Sequence, residues 1–363
     1  MKPIDIAYQT LFSELTQRCF DGAFVSDFPP EGRFVPVTVN DRAYWYFDTP
    51  DGAGGKKRSY VGPAEDPEIS GRVERFKDLK ADIKARHKLV STLVREAYLP
   101  QPNAIAGDVV EALANAGLFR LRTVLVGTTA FQAYPGLLGV RFDKASLQTG
   151  DADFAQFHSV SAAVEDSIPP VLQVIRSVDK SFREIPHRNG STQATQFRAK
   201  SGFMVEFLTP NRGSDENEEQ PARMPALGGA AATPLRFLDF LIHQPVRSVL
   251  LHKAGVPVLV PAPERFTVHK LIVASRRLID GSSLEKSEKD KRQASALVEA
   301  LLHLRRHVEL TIAYSDAWQR GKAWREALGR SLASLTPHDR ERLQEGLFEG
   351  LKHIGDAPAT VGL

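Results

Sequence analysis

The sequence predicts an α+β protein: a short mixed sheet flanked by helices, preceded by a mixed β/helical module and followed by a mainly helical domain. Three observations carry that expectation. Within residues 32–62, GRFVPVTVN and RAYWYFD alternate apolar and polar side chains, the pattern of half-buried strands. FRLRTVLVG, residues 119–127, is a largely apolar run closing on glycine, which fits a buried strand. Residues 67–97 and most of 262–355 carry apolar residues at helical spacing instead.

A chain of 363 residues is long enough for two or three domains. The changes of texture divide it into an accessory module at 1–117, a β/α core at 118–245 and a helical domain at 246–363. With 42% hydrophobic and 25% charged residues, a largely disordered chain is excluded. The net charge of +3 permits a nucleic-acid partner without requiring one. Cys19 is the sole cysteine, so neither an intramolecular disulfide nor a multi-cysteine metal site can form. The start, MKPIDIAYQTLFSEL, carries early acids, and no apolar run reaches membrane-spanning length. A soluble, cytoplasmic protein without membrane contact is expected; nothing in the residues sets its oligomeric state.

In chain order, Ile6, Leu11, Phe12, Leu15 and Cys19 mark an amphipathic helix over 5–19. GRFVPVTVN and RAYWYFD read as strands joined at Asn40-Asp41, DGAGGKKR as a flexible basic turn, and SYVGP as a third strand. The helix over 67–97 has a net charge of +5 across residues 71–95. That stripe is either a solvated face with i,i+4 pairs such as Asp82 and Arg86, or a phosphate-facing surface. Pro100 and Pro102 end it, and a short helix at 106–117 follows, with Gly117 as its cap. TTAFQAY opens a helix, DADFAQF is strand-like, a helix over 160–178 breaks near Pro169-Pro170, and paired strands occupy 194–208. Residues 209–233, acidic and rich in Pro, Gly and Ala, read as a loop; VPVLV reads as a short strand, and the tail GDAPATVGL as frayed.

Chemistry concentrates in three places. A buried strand ending in Gly127 lets a ligand approach the backbone, and a helix opening at Thr128 or Thr129 would present free N–H groups and a hydroxyl to a phosphate. Asp151 and Asp153 are i and i+2 on a predicted strand and therefore share a face. Two close carboxylates repel unless a cation sits between them, and hard oxygen donors suit Mg²⁺. Glu206 stands inside the apolar VEFL, where a carboxylate is costly unless paired or bound to metal. Taken singly, each has a plainer reading. Asp151 follows Gly150 and fits a turn, Gly127-Thr128 is an ordinary strand-to-helix junction, and Glu206 could face solvent from an edge strand.

In that order, LVGTTAFQAY, TGDADFA and VEFLTP resemble the nucleotidyltransferase fold superfamily, the polymerase-beta-like enzymes. Together with GLLG, PLRFLDFLI and PERFTVHKLIVASRR, they look most like a bacterial nucleotidyltransferase subfamily, with a more distant similarity to abortive-infection and toxin-type enzymes. The resemblance spans most of residues 90–300. It implies a phosphate-binding turn at Gly127, Thr128 and Thr129, metal ligands at Asp151, Asp153 and Glu206, and nucleotide contacts at Lys270 and Asp290. It further implies two Mg²⁺ ions (Mn²⁺ being the alternative), an NTP substrate and transfer of its NMP to a hydroxyl of RNA, such as a tRNA end, or of a protein. A non-catalytic nucleic-acid-binding regulator keeping the fold is the remaining alternative. Thr128 departs from the usual Ser or Gly, and the gap from Gly127 to Asp151 is longer than usual. Without the resemblance, Lys270 reads as a snorkelling helix lysine.

No G-x-x-x-x-G-K-[ST], G-x-G-x-x-G or G-x-S-x-G pattern occurs, which argues against a P-loop NTPase, a dinucleotide site and an α/β-hydrolase. His158, His187, His243, His252 and His269 lack ligand spacing, so no zinc site is expected. Tyr44 and Tyr46 share a strand face near Lys56, Lys57 and Arg58, and form either an aromatic-basic surface for nucleic acid or part of a small core.

Overall fold

The computed structural model describes all residues except 23–31, 40–41, 51–54, 144–146, 148, 164–166, 187–192, 212–219 and 280–283. Strand β1 (Lys2–Pro3) leads into helix α1 (Ile6–Gly22). Strands β2 (Arg33–Val39), β3 (Arg42–Pro50) and β4 (Lys56–Pro63) form an antiparallel three-stranded sheet. The junction at Asn40-Asp41 lies outside the described residues. Lys56, Lys57 and Arg58 belong to β4 rather than to a turn, because they pair with Pro50, Thr49 and Asp48. Phe34, Phe47 and Phe76 join this sheet to α2 (Pro67–Arg95), with ring centroids 4.8–5.4 Å apart.

Helix α3 (Ala104–Asn115) is capped by Asn103, whose side-chain oxygen accepts the Ala106 N–H at 2.8 Å. It buries Val109, Val110 and Leu113 against the core. Next come β5 (Val124–Val126), α4 (Gly127–Phe131), α5 (Tyr134–Leu138) and β6 (Val140–Arg141), the last pairing with β1. FRLRTVLVG thus contributes only its last apolar residues to a strand. Residues 116–122 run through turns, with Arg122 at φ 60°, and Leu118, Phe119 and Leu121 enter the core from them. Strand β7 (Asp151–Ala155), helices α6 (His158–Ala163) and α7 (Val171–Val178), and strands β8 (Arg183–Glu184), β9 (Gln196–Arg198) and β10 (Met204–Pro210) follow.

Part of the expected loop over 209–233 is sheet. β11 (Ala222–Arg223) and β12 (Ala231–Leu235) pair with each other, and β12 runs parallel to β10. The central sheet has the order β11–β12–β10–β7–β5, with β9 beside the first half of β10 and β8 beyond it. β7, β10 and β12 are parallel and β5 is antiparallel to β7, so the sheet is mixed. Helix α8 (Leu238–Leu241) precedes a hairpin of β13 (Val246–Leu250) and β14 (Val256–Val260); only the second strand is expected from the sequence.

Helices α9 (Pro263–Ile279), α10 (Leu284–His303), α11 (His307–Gln319), α12 (Lys322–Ser334) and α13 (Pro337–Ile354) complete the chain. The tail is not frayed: Pro358–Val361 forms a 3-10 turn that buries Val361. One continuous apolar core runs from α3 through the central sheet to α13. A second core joins α1, the end of α2, Val249 and Leu251. No helix among the described residues is long and apolar enough to cross a membrane.

Candidate active site

Register places the acids. Asp153 pairs with Val126 on one side and with Glu206 on the other. Partners across a sheet point to the same face, so these two carboxylates stand side by side. Asp151, two residues earlier on β7, shares that face and is exposed at the strand's start. Gly127 follows β5 directly with φ 67°, and a Cβ there would stand 2.3 Å from Asp153 Oδ2. The chain therefore reaches the acids only as glycine.

Threonines pin the loops around them. Thr129 Oγ1 donates to the Asp151 carbonyl at 2.8 Å, and Thr149 Oγ1 donates to Asp151 Oδ1. Asn103 Nδ2 donates to the Thr149 carbonyl at 3.2 Å, tying the cap of α3 to this loop. Thr128 is buried beside them. Of these partners, Asn103 and Thr149 carry no sequence signal; they act through loops that meet only in the fold.

The electrostatics are those of crowded anions. Asp153 is pushed up to about 8 by burial, and then by the charges of Asp151 and Glu206, against the opposing pull of Lys270 and Arg277. Burial also raises Glu206, while hydrogen bonds from Gln196 and Thr233 hold it down. Lys286 acts electrostatically on Glu206, and Lys289 and Asp151 feel each other. Three carboxylates gathered on one face, two of them desolvated and Asp151 open to solvent, are a donor set that fits a divalent cation.

Lys270 does not snorkel. It is buried on α9, with Nζ 2.6 Å from Asp290 Oδ1 on α10 and 5.2 Å from the centroid of Phe266. Arg277 Nε takes the other Asp290 oxygen at 2.7 Å. The neighbouring His269 is pushed down to about 3 by burial first and the Lys270 charge second, so it stays neutral at physiological pH.

The candidate nucleic-acid residues lie on the separate three-stranded sheet. Arg58 bonds both oxygens of buried Asp48, at 2.6 and 2.9 Å, and sits 6.0 Å from the Tyr46 ring centroid. Lys56 is exposed, Tyr44 and Tyr46 are partly buried, and Lys57 occupies the register position opposite Thr49. On α2 the expected pair forms, with Arg86 Nε 2.9 Å from Asp82 Oδ2.

A second acidic group escapes sequence reasoning altogether. Asp108, Glu111 and His252 bring ligand atoms within 4.8 Å of one another. His252 Nε2 lies 2.9 Å from Asp108 Oδ1, and Lys253 Nζ lies 2.7 and 2.6 Å from Asp108 and Glu111. The Lys253 ammonium already supplies a cation here, clasping α3 to the β13–β14 hairpin. His187 is outside the described residues.

A glycine turn closing a buried strand, paired aspartates on the next and a glutamate in register beyond them form one candidate site, and the family whose model matches the chain is one of enzymes that transfer phosphorus-containing groups. A family model described as nucleotidyltransferase matches residues 104–319, from the first residue of α3 to the last of α11, and the chain belongs to that family. Such enzymes generally use divalent metals. Neither the curated proteins nor the solved structures give a match.

Proposed function

We propose that the protein transfers a nucleoside monophosphate from an NTP to an acceptor hydroxyl of RNA, a tRNA end being the leading candidate. The observation carrying this reading is the pairing of Asp153 with Glu206 on adjacent parallel strands, with Asp151 on the same face. Asp151, Asp153 and Glu206 would hold two Mg²⁺ ions, which would neutralise charge on the triphosphate and on the reacting oxygens. The Gly127 turn, with Thr128 and Thr129, borders the nucleotide phosphates. Lys270, oriented by Asp290, supplies positive charge near Asp153.

The acceptor oxygen forms a bond to the α-phosphorus as the bond to the bridging oxygen breaks and pyrophosphate leaves. Glu206 takes the proton from the acceptor hydroxyl. Positioning and charge neutralisation supply the rate. The module at 1–117 would hold RNA and the helices at 246–363 would close over the nucleotide. The +5 stripe over residues 71–95 supports a polyanionic acceptor.

The test incubates the protein and Asp151→Asn, Asp153→Asn and Glu206→Gln variants with Mg²⁺, each α-labelled NTP, and total cell RNA or cell protein. Label in RNA that all three variants abolish supports the reading. Label confined to protein reassigns the acceptor. Salt-sensitive RNA binding by the folded protein without turnover makes it a binding regulator and overturns catalysis.

A further inference from the structure

Among the described residues, the hydrogen bonds to Glu206 come from one side. Gln196 on β9 is its register partner, and Gln196 Nε2 donates to Glu206 Oε1 at 2.8 Å. Thr233 on β12 pairs with Leu208, two residues further along β10, and its Oγ1 donates to the same Oε1 at 3.4 Å. Both donors therefore converge on one oxygen from the strands beyond β10. On the opposite side of Glu206 stands Asp153.

We propose that Gln196 and Thr233 are positioning residues, which fix the Glu206 carboxylate so that Oε2 faces the space shared with Asp151 and Asp153. The inference rests on the reading of these acids as the catalytic set and adds what orients its third member. Both donors are neutral. A lysine or arginine there would cancel the charge that the site needs to hold a cation, whereas an amide and a hydroxyl stabilise the ionised carboxylate and leave its charge in place. With Oε1 occupied by protein donors, Oε2 is the oxygen left to face the other two acids.

The experiment uses the full chain with α-labelled NTP, Mg²⁺ and total cell RNA, and measures Mn²⁺ binding to the purified protein by electron paramagnetic resonance. Gln196→Leu is expected to lower the rate at saturating NTP about ten- to a hundredfold and to weaken Mn²⁺ binding about tenfold, with the half-saturating NTP concentration changed less than about twofold. Thr233→Val should lower the rate a few-fold, and Thr233→Ser should restore it. This rescue separates orientation from packing and does not depend on Gln196→Leu folding. Wild-type rates and Mn²⁺ binding in folded Gln196→Leu and Thr233→Val, beside an inactive Glu206→Gln, would overturn the proposal and leave the catalytic set standing. A fully active Glu206→Gln would overturn both.

Discussion

Gly127 and Asp153 fit together through an atom that is missing: the Cβ that residue 127 lacks would stand 2.3 Å from the Asp153 carboxylate. Gly127→Ala also forces a side chain onto a left-handed backbone, at a cost of about 1–2 kcal/mol. The variant should lose transfer activity at least about a hundredfold, because the acid must move. Its melting temperature should fall only by several degrees. Activity within about twofold of wild type would show that the turn tolerates displacement.

The metal-free protein should carry a pH dependence that traces to Asp153. Its folded pKa is raised from 3.8 to about 8, so the folded state binds this proton more tightly than the unfolded chain does. That contribution is fully present below 3.8 and is lost as pH rises towards 8. Asp153→Asn should therefore gain stability relative to wild type as pH rises, when unfolding is followed without metal. Added Mg²⁺ should narrow the difference by stabilising only the wild type. Parallel stability curves for the two proteins would refute the assignment.

Asp290 takes both the Lys270 ammonium and the Arg277 guanidinium, deep between α9 and α10. Breaking such a buried pair from one side costs about 3–5 kcal/mol. Asp290→Asn should show that loss in urea unfolding. Lys270→Met combined with Asp290→Leu should recover part of it, since the buried ammonium is removed and Arg277, which also loses Asp290, is 31% exposed. Equal losses in the single and double variants would mean that packing, rather than charge, dominates there.

If RNA is the acceptor, exposed Lys84 and Lys88 on α2 are its natural phosphate contacts. Replacing both with Glu should weaken RNA binding and flatten its logarithmic salt dependence by about one for each phosphate no longer neutralised. Arg58→Ala should instead chiefly destabilise the small sheet, because this side chain is engaged with Asp48. Filter binding across a salt series separates these outcomes.

How much of the fold is legible in the sequence depends on whether the signal is local. Period-two alternation locates β2, β3 and β4, helical spacing locates α1, α2 and the C-terminal helices, and the apolar VLV-Gly run locates β5 and its turn. Strand β12 stays hidden because Ala231–Leu235 has no alternation and only one β-branched residue; tertiary pairing with β10 makes it a strand. Residues 116–122 mislead because apolar side chains entering a core from turns mimic a buried strand. The three carboxylates stand out by residue type and spacing. Gln196, Thr233 and Thr149 do not, because a neutral side chain's role lies wholly in which neighbour the fold delivers to it.

The acids and their supports are discontinuous along the chain: β7 carries two acids and β10 one, the Gly127 turn follows β5, and β9 and β12 carry the donors to Glu206. Joining β7 to β10 requires a crossover from Ala155 to Met204 before any parallel pair can form. The three carboxylates therefore come together only when that long connection has closed. A chain in which β7 and β10 have not paired keeps Glu206 away from the two aspartates, so the candidate site exists only once the topology has closed.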